Sequence, residues 1–283
     1  MMKTVIGIDV GGTTTKIVGF RYGKEGKPEL ISPQFVRATD PVTSAYGAFG
    51  RFTMENAIGL EKIDRAMITG AGASTIEKPI YSVELQRISE FDCIGRGGLY
   101  LSGLDEAIVV SMGTGTAIVH AAKNGGDVKT EYLGGTGVGG GTMLGLTRKI
   151  LGVDNIEHIE QLCETGNLGN VDLRIQDITD KKQYGGMDST LTASNFGKLS
   201  DLANKNDIAL GIANLVAETI GMMAIFAARS FGTRDIVLTG NLATVKSIHD
   251  RLLGMNQSFD VNFLIPEMAQ YATVIGAGLH GIK

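Results

Sequence analysis

Residues 5–20 read VIGIDVGGTTTKIVGF. An apolar strand (Val5, Ile6, Ile8) ends on an acid, Asp9. A glycine turn follows (Gly11, Gly12), then three hydroxyls (Thr13, Thr14, Thr15), and a second strand leaves through Ile17 and Val18. Two glycines let the chain turn tightly and bring N–H groups against a ligand. Exposed amides and threonine hydroxyls suit phosphate oxygens, and a carboxylate beside them suits Mg²⁺ held through water. Alone, the stretch reads first as an ordinary β-hairpin with a polar turn.

A second copy tips that balance. Residues 107–122 read AIVVSMGTGTAIVHAA. Setting Gly11 against Gly113 puts Asp9 opposite Ser111, Thr14 opposite Thr116 and Ile17 opposite Val119. Internal repetition of this kind implies two similar sheets, each with a phosphate-facing hairpin. Two such turns facing each other would clasp a polyphosphate from both sides. The acid occurs only in the first copy, so a metal is expected nearer that lobe, on Asp9.

Length and composition bound the rest. The 283 residues suffice for two domains, and 43% hydrophobic with 20% charged residues supports a large core and argues against disorder. A net charge of −4 without a Lys/Arg cluster gives no indication of a nucleic-acid footprint. Cys93 and Cys163 lie far apart in helix-like stretches and read as buried thiols. His120, His158, His249 and His280 show no ligand spacing, so zinc is not expected. There is no signal-like start, and no apolar run approaches the ~20 residues of a membrane span. A soluble, cytoplasmic protein is expected, with neither membrane nor nucleic acid as partner.

The 40 glycines cluster at 11–12, 70–72, 113–115, 134–145 and 276–278, between apolar runs, as ligand-approach turns do. In chain order, 30–36 predicts a third strand, 42–60 a helix, and 65–70 a short strand ending in a glycine turn. Over 81–103, Val83, Leu85, Ile88, Phe91 and Ile94 fall on a helical stripe with Glu90 and Asp92 in its middle. Pattern alone leaves Glu90 as either a catalytic acid or part of a solvated helix face. A turn over 124–127 leads to a strand through Tyr132 and Leu133 and then to GGTGVGGGTMLGL.

Gly135, Gly137 and Gly140 satisfy G-x-G-x-x-G, but that fingerprint needs a parallel strand carrying an acid about 20 residues on. Asp154 lies near that distance in a helix-like segment, so the dinucleotide reading is rejected. No G-x-x-x-x-G-K-[ST] is present, which excludes an ordinary P-loop. A helix start fed by glycines still makes an anion site. Residues 192–197 read as a polar turn capping a helix, 208–231 as the longest apolar helix, 235–240 and 261–265 as strands, and 273–282 as a closing helix.

These strings, in this order, resemble the superfamily of actin, hexokinase and the heat-shock chaperone ATPases. Within it they resemble the type II pantothenate kinases: GIDVGGTTTKIV, ISEFDCIGRGGLYL, MGTGTAIV, GGTGVGGGTMLGL, TASNFG and TVIGAGL span residues 7–279. The resemblance implies a two-lobed α/β, actin-like ATPase (ribonuclease H-like) fold with duplicated mixed β-sheets flanked by helices. Residues 1–104 would form the N-terminal lobe with the first phosphate loop and the catalytic helix, the helix over 273–283 packing on it. Residues 105–272 would form the C-terminal lobe with the second loop, the glycine-rich turn and the adenosine site.

The same resemblance implies ATP and Mg²⁺ as cofactors and pantothenate as acceptor. Asp9 becomes the metal-side acid; Gly11, Gly12, Thr13 and Thr14 form one phosphate loop and Gly113, Thr114, Gly115 and Thr116 the other. Glu90 becomes the general base for pantothenate's primary hydroxyl. Gly139, Gly140 and Gly141 would offer backbone donors near the transferred phosphate, and Gly240 and Asn241 would lie near the adenosine. Lys16 reads either as a phosphate contact or as a solvated rim charge. The acceptor pocket would hold Thr114, Ala117 and Tyr132, and there the chain departs from the pattern. The family has arginine at the place of Tyr132 and serine at the place of Ala117. A phenol lacks the charge and forked donors of a guanidinium, and Lys129 or Arg148 are the candidates to restore a cation.

Three readings follow: a pantothenate kinase, a kinase of the same fold acting on a sugar or other hydroxyl compound, and a non-catalytic ATP- or acyl-CoA-binding protein. Coenzyme A thioesters as feedback ligands are a further implication of the family. The long apolar helix near 208–231 points to a homodimer.

Overall fold

The apolar runs that flank the first glycine turn pair as strands. β1 (Lys3–Val10) and β2 (Thr15–Tyr22) are antiparallel, and β3 (Glu29–Val36) continues the meander on β2. β4 (Ile63–Thr69) and β5 (Leu85–Arg87) add in parallel on the other side of β1, giving the order β3-β2-β1-β4-β5. This computed structural model describes residues 2–12, 14–23, 27–37, 40–179, 183–184 and 187–282. Thr13, expected in the first phosphate loop, lies outside the described residues.

The second half repeats the plan. β6 (Glu106–Met112), β7 (Thr116–Asn124) and β8 (Asp127–Thr136) form the antiparallel meander. After two small ribbons, β9 (Leu173–Arg174) with β12 (Thr192–Ser194) and β10 (Gln183–Tyr184) with β11 (Met187–Asp188), the chain returns. β13 (Asp235–Thr239) and β14 (Asn262–Leu264) then add in parallel beside β6, giving β14-β13-β6-β7-β8. Read from the meander, both sheets have the same order and the same strand directions. The duplication seen in two hairpins therefore extends to two complete five-stranded sheets.

Helices close both faces. α1 (Pro41–Glu55) starts where the Asp40 carboxylate accepts from Thr43 N–H at 2.6 Å and Pro41 takes the first turn, where no N–H is needed. It buries Ala45, Ala48, Phe49 and Phe52 against Ile6, Ile8, Ile17 and Ile31, each fully buried large side chain contributing roughly 1.5–3 kcal/mol. α2 (Glu90–Ser102) follows β5; α3 (Gly140–Leu151), α4 (Ile156–Glu164) and the short α5 (Ile175–Ile178) follow β8.

α6 (Lys205–Phe231) is the main helix of the second core, capped by Asn204 and ended by Gly232 in the left-handed region, φ 67°. The expectation that no apolar stretch reaches membrane-spanning length is corrected here. α6 is long and apolar enough, with a mean hydropathy of 1.8 over an 18-residue window, but 61% of that window is buried in the fold. Its apolarity is that of a core helix, lining sheet two with Ile212, Val216, Ile220 and Ile225.

α7 (Lys246–Phe259) links β13 to β14, and α8 (Ala272–His280) follows β14. α2 and α8 hold equivalent places after their sheets, and they cross over. α2 packs on β6, β7 and β8, α8 packs on β1, β2 and β4, and the two helices pack on each other. Each sheet is thus closed by the other half's last helix.

Candidate active site

Both hairpin turns project from the same ends of equivalent strands. The first is closed by Gly11 N–H to Thr14 O at 3.0 Å and the second by Gly113 N–H to Gly115 O at 2.9 Å. They face one another: a Cβ built on Gly12 would lie 4.0 Å from the Thr114 hydroxyl. Two glycine turns from opposite sheets thus border one cleft.

Asp9, at the end of β1, stands opposite Lys16 on β2 and beside Thr69 on β4. Its carboxylate lies over Gly70, where a side chain would come within 2.5 Å of Oδ1 and where φ is +91°. Only glycine meets both demands. Burial pushes the Asp9 carboxyl up to about 7, against the pull of Lys16 and with the added repulsion of Glu90. Lys16 is 8% exposed and donates to Gln270 O at 2.6 Å. Burial lowers its pKa and Asp9 opposes that shift. The rim-charge reading of Lys16 is therefore excluded; it is an internal partner of Asp9.

A desolvated carboxylate with one cation beside it gains from a divalent ion. Among the described residues no group of three or more His, Cys, Asp or Glu side chains could hold a metal alone. That donor set fits Mg²⁺, which keeps its waters and binds through one or two carboxylates and substrate phosphates.

The glycine-rich turn requires a correction. Gly140 and Gly141 donate to Gly113 O and Thr114 O, both at 2.9 Å, and Gly139 donates to the Thr142 hydroxyl at 3.2 Å. Their amides are already used, so these residues are not free phosphate donors. They are small because the second loop lies on them: a Cβ on Gly139 would come within 2.6 Å of Thr114 O. Thr116 Oγ1 donates to Val138 O at 2.8 Å, binding loop and turn together. Gly240, at φ +88°, abuts the Met112 backbone at the end of β6, and Asn241 opens the short turn after it.

Glu90 is the first residue of α2, capped by Ser89, rather than the middle of a helix. The expected helical stripe over 83–94 breaks because Leu85–Arg87 pairs in parallel with β4 as β5. That placement puts Glu90 at the ends of β4 and β5, lining a cavity of about 420 Å³ with Thr69, Gly70, Ser74 and Arg87. Burial raises its pKa. Thr69, Ser74 and Arg87 are pocket residues that the sequence reading missed. Arg87 was hidden in the supposed helix, and only the parallel pairing of β5 brings it to the cleft.

Of the residues expected on the acceptor side, Thr114 belongs to the second turn, while Ala117 on β7 and Tyr132 on β8 lie on the face that meets α2. Ala117 packs there with Val119 and Ala121. Thr130 donates to the Asp92 carboxylate, and Tyr132 stacks on Phe91, with ring centroids 3.9 Å apart at 15°. Strand alternation sends Lys129 to the opposite face, and Arg148 pairs with Asp154 at 3.3 Å. Neither restores a cation beside Tyr132.

A duplicated pair of sheets, opposed glycine turns and a buried acid between them define an actin-like ATPase fold. Solved structures agree. Component A of (R)-2-hydroxyglutaryl-CoA dehydratase from Acidaminococcus fermentans matches with a TM-score of 0.67 and 19% identity, over 98% of this chain and 97% of that one. The activator of the 2-hydroxyisocaproyl-CoA dehydratase from Clostridium difficile, with bound ADPNP, matches at 0.66 and 18%, over 99% and 94%.

The sequence narrows the class. The Fumble family profile matches residues 106–265, more than half of the chain, and the chain belongs to the Fumble family. Relatives include the type II pantothenate kinases of Bacillus thuringiensis subsp. konkukian, 28% identical over 85% of this chain and 83% of that protein. Those of Bacillus anthracis and Oceanobacillus iheyensis are each 29% identical, over 85% and 84% of this chain and 83% and 84% of theirs.

Proposed function

We propose that this chain is an ATP-dependent pantothenate kinase that makes 4′-phosphopantothenate at the first step of coenzyme A biosynthesis. The observation that carries the reading is the facing pair of glycine turns with Asp9 and Glu90 at the same cleft. Phosphoryl transfer asks for positioning, charge neutralisation and one carboxylate to orient the nucleophile. The turns would hold the polyphosphate, with Gly240 and Asn241 toward the adenosine. Asp9 would hold Mg²⁺, which supplies neutralising charge to the phosphates when bound.

Glu90 accepts the proton of the acceptor's primary hydroxyl as that oxygen bonds to the γ-phosphorus. The bond from that phosphorus to the β-bridging oxygen breaks, and ADP leaves. A carboxyl raised by burial is a stronger base than an exposed one, which suits this role. Tyr132 and Ala117 motivate a second reading, a different hydroxyl acceptor, and the same assay separates the two.

Purified protein with Mg·ATP and pantothenate, read by product mass, tests the proposal. The expected product is pantothenate plus one phosphoryl group. ATP consumed only with another hydroxyl compound would move the protein to the second reading, and absence of transfer to any acceptor would end both. Glu90→Gln is expected to bind ATP unchanged and to lose turnover about 10²–10⁴-fold; unchanged turnover would remove Glu90 from the mechanism. The reading extends to a soluble cytoplasmic homodimer inhibited by coenzyme A thioesters. The half-buried Met222 and Met223 and the exposed Phe226 on α6 support the dimer. Sedimentation and an acetyl-CoA titration check these two points.

A further inference from the structure

The acceptor's carboxylate needs a cation, and the β8 wall of the cleft lacks one. Tyr132 is stacked on Phe91, Lys129 faces away, and Arg148 and Arg96 are paired with Asp154 and Asp127. The β5 wall is different. Arg87 lines the same cavity as Glu90, together with the hydroxyl-bearing Thr69 and Ser74 and a second acid, Glu77, with which Arg87 forms no ion pair among the described residues. Its guanidinium has one hydrogen bond among the described residues, Nη2 to Ile76 O at 2.7 Å, and no ion pair. Arg51, Arg65, Arg234 and Arg251 pair with carboxylates, whereas Arg87 shares its unpaired state with Arg21 and Arg229 among the described residues and differs from them in lining the Glu90 cavity.

A guanidinium anchored by one N–H keeps four more donors in a rigid fork, the geometry that grips a carboxylate through two parallel bonds. Glu90 belongs to the same cavity without being its salt-bridge partner: no ion pair joins Glu90 and Arg87 among the described residues, and the Arg87 guanidinium turns to Ile76 O instead. The two groups are thus free to hold different ends of one molecule, a hydroxyl at Glu90 and an anion at Arg87.

Resting on the kinase reading above, we infer that Arg87 is the specificity-determining residue that binds the carboxylate of the hydroxy-acid acceptor.

The test compares two acceptors, pantothenate and its uncharged primary amide, with wild-type protein and with Arg87→Gln. Arg87→Gln is expected to lower kcat/KM for pantothenate at least about tenfold, mainly through KM, because a charged fork is lost. The amide is expected to change less than about threefold, and the KM for ATP to stay the same. Arg87→Lys should recover part of the preference for the carboxylate, since it restores charge without the fork.

Equal loss on both acceptors, or no loss on either, overturns the inference while leaving the kinase reading standing. Wild-type protein that phosphorylates neither compound overturns both. A thermal melt of Arg87→Gln guards against misfolding. If that variant does not fold, Arg87→Lys carries the comparison, and an unchanged pantothenate-to-amide ratio in it also overturns the inference.

Discussion

At the scale of single residues, charge and its surroundings decide most outcomes. Asp64, at the base of sheet one, accepts from Lys3 Nζ at 2.5 Å, Tyr22 Oη at 2.6 Å and Arg65 Nε at 3.0 Å. These donors hold its carboxyl down at about 2, from 3.8, with Lys3 the largest cause. A depressed folded-state pKa gives stability that is present above the unfolded value and is lost as pH falls toward 2. Because Lys3 is exposed, the contribution is discounted to about 1–2 kcal/mol. Asp64→Asn is therefore expected to lower the urea midpoint at neutral pH, with the deficit shrinking between about pH 5 and pH 2. A deficit independent of pH would show that packing, not charge, is what Asp64 supplies. Asp9 shows the opposite case: its carboxyl is pushed up by burial beside Lys16, a cost that a functional site bears and a structural one avoids.

At the scale of elements, the α2–α8 crossing connects folding to chemistry. A Cβ on Gly97 would lie 1.8 Å from Ala272 O, and one on Gly276 would lie 1.9 Å from Cys93 O. Both obstacles are backbone, so the helices would have to separate. Gly97→Ala and Gly276→Ala are each expected to cost about 1–3 kcal/mol or more. Since α2 starts at Glu90, each should also lower kcat more than the KM for ATP, as read by urea melts and steady-state kinetics. Wild-type kcat in a destabilised variant would separate the crossing from the catalytic geometry.

The same elements show what was legible in the sequence. Glycine turns between apolar strands are local signals, so β1–β2 and β6–β7 could be read directly, and the second copy made the fold readable from end to end. β5 escaped because three residues carry little periodicity, and Val83, Leu85, Ile88 and Phe91 imitate a helical stripe. α7 went unread because its apolar face is narrow, Ile248, Leu252 and Met255 among polar residues. Residues 192–194, read as part of a cap, pair as β12, and the true cap of α6 is Asn204. The burial of Lys16, the engaged amides of Gly140 and Gly141, and the access of Arg87 to the cleft all depend on long-range pairing, which no local pattern encodes.

At the scale of the whole molecule, the two sheets are closed by exchanged helices and meet through the turns at the cleft, so a ligand held by both turns must stabilise the pair together. A nucleotide that binds only the folded chain adds RT ln(1 + [L]/Kd), about 2.7 kcal/mol at 100 times Kd. For a chain of this size that corresponds to a rise in Tm of about 4–5 °C. Mg·ATP is expected to give a shift in this range, and chelating the magnesium should reduce it. In Asp9→Asn, magnesium should add nothing beyond ATP alone. Gly139→Ala tests the clamp itself, because its Cβ would meet Thr114 O at 2.6 Å and Gly115 Cα at 2.8 Å, and the second loop must move. Its nucleotide shift, taken from the variant's own ligand-free melt, should fall below about 2 °C, a loss of more than half of the linkage energy. A full shift in Gly139→Ala would mean that the nucleotide is held by one sheet alone, and the facing turns would then be a consequence of duplication rather than the source of binding.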